Sequence, residues 1–181
     1  MYLPEEVLTF WYSEPMKSHW FNSTPDIDTL IRDKFEFLWQ YASGDNLLEW
    51  QDTPGGCLAL CIVLDQFPLN MFRDQALAFS TEQHAVMVAK HAIVEDFDQQ
   101  LDKDKLSFLY MPLMHSENMD DQDLCVARFE AAGLEDNVRF AKHHREIVEK
   151  YGRFPHRNAL LGRTSSPEEI EYLNSKDAFT G

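Results

Sequence analysis

The sequence predicts an all-α protein, with antiparallel helices packed in an array around buried central helices. Three observations predict it. Apolar residues recur at helical spacing along most of the chain. Gly and Pro are few, at seven and eight in 181 residues. No stretch sustains the alternation that marks a half-buried strand.

The helices follow in order. Glu5 and Glu6 follow Pro4, and Val7, Leu8 and Trp11 give a first apolar stripe. Thr24 caps a second helix with Pro25 at its first position, and Ile27, Leu30, Ile31, Phe35, Leu38 and Ala42 recur along it until Gly44. A third helix starts near Pro54 and carries CLALCIVL; apolar on every side, it belongs at the centre. Ser80 and Gln83 have the spacing of a capping box for a helix to about Val94. Leu106–Met114 is a second all-apolar stretch, where Pro112 is expected to introduce a kink. Asp120–Ala132 forms a further helix closed by Gly133. Phe140, His144, Ile147, Val148 and Tyr151 then line one face of a helix ending at Gly152. Ser166-Pro167-Glu168-Glu169 reads as a second capping box, opening a short helix to about Asn174. Residues 1–175 are expected to form a single domain and 176–181 a frayed tail.

Bulk properties exclude several classes. A content of 44% hydrophobic residues is more than a disordered chain carries. The longest apolar run, Cys57–Leu64, falls far short of the ~20 residues of a spanning helix, and the acidic start MYLPEEVL has no secretory-signal pattern. Three cysteines without a Cys-x-x-Cys pair suit a reducing cytoplasm better than a disulfide framework or a zinc site. The net charge of −15 repels nucleic acid and anionic membranes. Against that background, Arg139–Arg163 holds seven Lys or Arg and two acids, a local +5.

Three constellations have chemical potential. Asp65 lies at the end of the central helix, where a carboxylate opposes the helix dipole and needs a cationic or hydrogen-bonding partner; Arg73 and the later arginines are candidates. His115 and Glu117 follow the second apolar stretch, and histidine is a side chain suited to general acid or base work. His144 sits on an inward stripe, while Arg153, His156, Arg157, Asn158 and Arg163 surround a Gly/Pro turn. Their guanidinium groups would clamp an anion through paired hydrogen bonds, or pair with Asp65 and Glu117 inside the protein. His84, His91 and Glu95 share a helix face but make a weak metal set. Phosphate-binding, dinucleotide-binding, zinc-protease, di-iron and serine-hydrolase motifs are absent, and His115-x-Glu117 lacks the downstream Pro-Cys-x-x-Cys of a zinc deaminase. No metal and no cofactor are expected. The aromatics Phe10, Trp11, Tyr12, Trp20 and Phe21 suit a core or an interface, and the oligomeric state stays open.

Taken together, Leu64-Asp65-Gln66-Phe67-Pro68…Asn70…Phe72-Arg73, Phe108-Leu109-Tyr110-Met111-Pro112…His115-Ser116-Glu117…Asp121-Gln122 and Gly152-Arg153-Phe154-Pro155-His156-Arg157-Asn158…Leu161-Gly162-Arg163 resemble the mainly bacterial family called domain of unknown function 924. The resemblance runs over nearly the whole chain. Leu69 departs from it, standing where the family often has Arg. The resemblance implies a helical array similar to tetratricopeptide-repeat proteins and implies no reaction.

Three readings compete. The first is a binding module in which Arg73, Arg153, His156, Arg157, Asn158 and Arg163 hold an anionic small molecule or peptide; it fails if the three arginines Arg153, Arg157 and Arg163 are fully paired to internal acids with no open cavity beside them. The second is a hydrolase or isomerase in which Asp65, His115, Glu117, His144 and His156 converge, with Arg153 and Arg157 holding an anionic substrate; no single proton-transfer step could use both His115 and His144 if they lay more than about 10 Å apart. The third is a buried ionic network with a purely structural role.

Overall fold

A computed structural model of the chain describes residues 2–179, and every regular element among them is helical. The order is α1 (Pro4–Trp11), α2 (Glu14–Lys17), α3 (Pro25–Ser43), α4 (Pro54–Cys61), α5 (Phe67–Met71), α6 (Glu82–Val94), α7 (Lys103–His115), α8 (Met119–Ala132), α9 (Glu135–Tyr151) and α10 (Pro167–Leu173). Prolines at the first helical position, where the N–H would be unpaired anyway, open α1, α3, α4 and α10. Thr24 accepts from the Ile27 N–H, and Thr53 from that of Gly56. The Ser166/Glu169 capping box forms in both directions, at 3.2 and 2.7 Å. Gly133 and Gly152 end α8 and α9 in the left-handed conformation at φ +62° and +69°, which other residues adopt only with strain.

Helix α4 is the centre. Every residue from Gly56 to Cys61 is buried, and α1, α6 and α7 pack around it. From α6 to α9 each helix packs on the next, giving the array. Phe35 stacks on Phe67 at 4.5 Å, and Trp11 meets Phe108 edge-on at 5.3 Å. Of the N-terminal aromatics, Trp11 is core, Phe10, Tyr12 and Trp20 pack against the core, and Phe21 is exposed. Phe140 departs from its expected place on the inner stripe of α9: Ala141, His144 and Val148 centre that stripe and leave Phe140 half-exposed.

The third predicted helix does not continue straight on. Ile62–Gln66 widens into a π-turn before α5 begins. Pro68 is the cause we identify, because it has no N–H to give to the Leu64 carbonyl four residues earlier. The hydroxyl of Thr81 donates to that oxygen instead, at 2.6 Å, and accepts from Trp39 Nε1 at 3.0 Å. This explains a second departure. The Ser80/Gln83 box does not form; Thr81 occupies the cap position with its side chain engaged elsewhere, and Ser80 turns back to the Leu77 carbonyl. Helix α7 runs through Pro112 to His115, and the buried Gln122 amide closes its end by donating to the carbonyls of Met114 and Ser116, both at 2.7 Å. Of the tail expected to fray, Phe179 lies against His144, while 180–181 fall outside the described residues.

Close packing at the start of α4 gives a direct test. A Cβ on Gly56 would overlap the Trp50 carbonyl, whereas one on Gly55 would meet only Leu8 Cδ1 at 3.7 Å. Gly56→Ala should lower stability by about 1–3 kcal/mol or more, in the range of overpacking. Gly55→Ala should be neutral or stabilising by up to about 1 kcal/mol. Paired thermal melts check both; equal melting temperatures would contradict the packing at Trp50.

Candidate functional site

The π-turn has a chemical consequence, because it holds Asp65 inside the fold at 4% exposure. Its two carboxylate oxygens lie 2.8 and 3.0 Å from His115 Nδ1, at the last residue of α7. Gln66 Nε2 donates to the same carboxylate. The partner of Asp65 is therefore a histidine and not the arginine expected. An arginine would have neutralised the acid alone; the imidazole is oriented by it. With Nδ1 donating to the carboxylate, Nε2 of a neutral His115 carries the lone pair. The imidazole is 16% exposed.

Arg157 forms the other half of the centre. It is 5% exposed, in the short helical turn Pro155–Arg157 that follows α9. Its Nη1 donates to Glu82 Oε2 at 2.7 Å and its Nη2 to the His115 carbonyl at 2.9 Å. The rings of Phe79 and Phe154 lie 4.5 and 4.7 Å from the guanidinium carbon. Burial pushes the Glu82 carboxyl up to about 7, although Arg157 and His115 pull the other way. Sequence reasoning missed Glu82. The visible signal was an acid in the first turn of a helix, which reads as dipole compensation.

The remaining arginines are engaged as well. Arg163 grips Glu117 through two hydrogen bonds of 2.7 and 2.9 Å, and Glu117 also accepts the Phe154 N–H at 2.8 Å. Although burial raises the Glu117 carboxyl, these donors bring it below its ordinary value. Arg153 holds Glu169 at 2.7 and 2.9 Å, and Asn158 Nδ2 donates to the same acid at 3.2 Å. The Arg153 hydrogen bonds bring Glu169 down to about 2. Arg73 belongs to a different set: it pairs with Asp28 on α3 at 2.8 and 3.2 Å, beside Asn70, in an open pocket of about 460 Å³. Of the two roles expected for these arginines, an anion clamp or internal pairing, the structure shows the pairing. Glu82, Glu117, Glu169 and Asp28 already occupy them.

The histidines converge. The rings of His115 and His144 lie 6.4 Å apart, inside the limit for a common centre. His144 Nδ1 faces the Phe140 carbonyl at 2.8 Å; among the described residues its buried Nε2 has no partner, and neither does the buried Nδ1 of His156. Burial lowers His144 to about 3 and His156 to about 4, with neighbouring positive groups adding to it. His84 and His91 turn instead to Asp45 and the Gln51 carbonyl. Among the described residues no three His, Cys, Asp or Glu are placed to hold a metal ion, and no helix is long and apolar enough to cross a membrane.

Comparison with known proteins agrees with this architecture. The family described as "Bacterial protein of unknown function (DUF924)" matches residues 7–177. The solved structure of ATU0120, a protein of unknown function from Agrobacterium tumefaciens, is similar at a TM-score of 0.89 and 34% identity, covering 94% of this chain and 96% of that one. No curated protein matches.

The buried histidines fix a pH dependence. Their folded-state values, about 3 and 4, lie below the ordinary 6.5, so the unfolded chain takes up protons first and stability falls as the pH drops below about 6.5. Glu82 acts oppositely: held at about 7 against 4.5, it favours the folded state as the pH falls between those values. Two imidazoles outweigh one carboxyl, so denaturant midpoints should decline from pH 6.5 to 4.5. Glu82→Gln should steepen the decline. A flat profile in both chains would contradict the assignment.

Proposed function

We propose that this chain, which belongs to the DUF924 family of bacterial proteins of unknown function, is an acid–base enzyme whose working group is His115. The observation that carries the reading is the Asp65–His115 contact. A buried carboxylate on Nδ1 fixes the tautomer and orientation of the imidazole and leaves Nε2 as the base. Glu82 supplies the acid. With its carboxyl held at about 7, it keeps a substantial protonated fraction at neutral pH, as a general acid requires. Perturbed carboxyls gather at functional sites for this reason, although structural ion pairs perturb them too.

Arg157 joins the two groups, one N–H on Glu82 and another on the His115 carbonyl. When Glu82 is protonated, Arg157 loses its counter-charge. An anionic substrate, or the negative charge that develops during reaction, then replaces it. This keeps an anionic small molecule as the substrate class, with hydrolysis or isomerisation as the reaction class. The alternative of a plain anion-binding module draws less support, since Arg153 and Arg163 are each closed on an internal acid. The free, buried Cys57, Cys61 and Cys125 favour the cytoplasm as the compartment.

The test is turnover of the purified chain on a panel of chromogenic esters, amides and phosphate esters. One class should be turned over, with a rate that falls above about pH 7 as Glu82 loses its proton. His115→Gln should lower kcat by about 10²–10⁴-fold, the usual contribution of a positioned acid or base, while circular dichroism shows the fold retained. Glu82→Gln should remove the fall above neutrality. Equal rates in the unsubstituted chain and His115→Gln would sink the proposal.

A further inference from the structure

Beside the acid–base centre, a ring from the tail of the chain occupies a seat made largely of imidazoles. Phe179 lies 4.5 Å from His144, 5.0 Å from His156 and 6.5 Å from His143, edge-on to each. Phe154 backs His144 and His156 at 5.6 and 5.7 Å. The Phe179 N–H donates to Tyr172 Oη at 2.9 Å, which ties the tail to α10. An open pocket of about 430 Å³, lined by His143, Ile147, Tyr151, Tyr172, Ser175 and Asp177 among others, runs along the tail and shares His143 with the seat.

A phenyl ring satisfies this seat incompletely. His144 is 3% exposed, and because its Nδ1 faces the Phe140 carbonyl, its Nε2 is an acceptor. Among the described residues that acceptor has no partner, and the His156 Nδ1 in the same cluster has none. A buried polar atom without a partner calls for an explanation, and a hydrocarbon ring offers it no donor. A ring of the same size bearing a hydroxyl would fill the seat and supply one.

We propose that the place taken by Phe179 is a binding site for a phenolic ring, held closed by the chain's own C-terminal segment. The ring of His144 links the seat to His115. If the acid–base reading holds, a phenolic ring is the part of the substrate bound beside the catalytic histidine; the binding claim itself does not depend on catalysis.

The experiment is a titration of full-length Phe179→Ala with phenol and with toluene, followed by the side-chain nitrogen resonances of His144 and His156. Phenol should produce saturable shifts in the variant at a concentration at least about ten-fold below that needed in the unsubstituted chain. It should also bind about ten-fold more tightly than toluene, the upper range for one neutral hydrogen bond. Tyr172→Phe, which keeps every wall of the seat but loosens the tail, should fall between the two chains, and it carries the test if thermal melts show Phe179→Ala to be unfolded. Equal responses of substituted and unsubstituted chains to phenol would overturn the proposal. So would equal affinities for phenol and toluene. Adding His115→Gln should leave phenol binding unchanged, so a failure of this site is distinguishable from a failure of the acid–base reading.

Discussion

The structure turns on a buried guanidinium. Arg157 sits at 5% exposure between two phenyl rings, where an unpaired charge would be untenable. Its neutralisation requires Glu82 at the start of α6 and the carbonyl of His115 at the end of α7, where the helix dipole favours a cation. One side chain thereby fixes the relation of three segments distant in sequence. His115 is placed by the same bond, and through it the contact with Asp65. Truncating one partner of such a pair leaves the other charge buried, with costs of about 3–5 kcal/mol. The chemistry of the centre and the packing of the helices are therefore not separable.

This explains which parts were legible in the sequence. Helix positions were, because caps, N-terminal prolines and terminal glycines act locally: Thr24, Ser166, Gly133 and Gly152 all do what their neighbours suggest. The inward phase of His144 was legible for the same reason. The Ser80 box failed because a distant group intervened. Pro68 leaves the Leu64 carbonyl without its helical donor, and the hydroxyl of Thr81 goes there. Local propensity yields wherever a buried backbone atom would otherwise go unpaired.

The partners of the site were legible only in part: Glu117 does meet an arginine of the basic segment, Arg163. The arginines and histidines do converge, but the acids assigned to them were chosen by apparent burial alone. Asp65 went to a histidine, and Arg157 took an acid 75 residues away that looked like an ordinary helix opener. The +5 of the basic segment also loses its first meaning. Arg153, Arg157 and Arg163 meet Glu169, Glu82 and Glu117, and on the outer side Arg145 meets Asp123 and Lys142 meets Glu130. The segment is basic in composition because acids from elsewhere in the chain complete it.

Those pairings also differ in how they hold their carboxyls. Three carboxyls face three arginines, yet they do not respond alike. Glu169 accepts from Arg153, Asn158 and the Ser166 N–H, and Glu117 from Arg163 and the Phe154 N–H; both are held below the ordinary range. Glu82 receives, among the described residues, a single guanidinium N–H, and burial carries it up to about 7. A carboxylate surrounded by donors is committed to its charge and serves as a strut. One with few donors in a desolvated position is brought close to the pH at which it exchanges a proton. The number of donors, more than the presence of an arginine, sets Glu82 apart as the carboxyl on which the proposed acid–base reading draws.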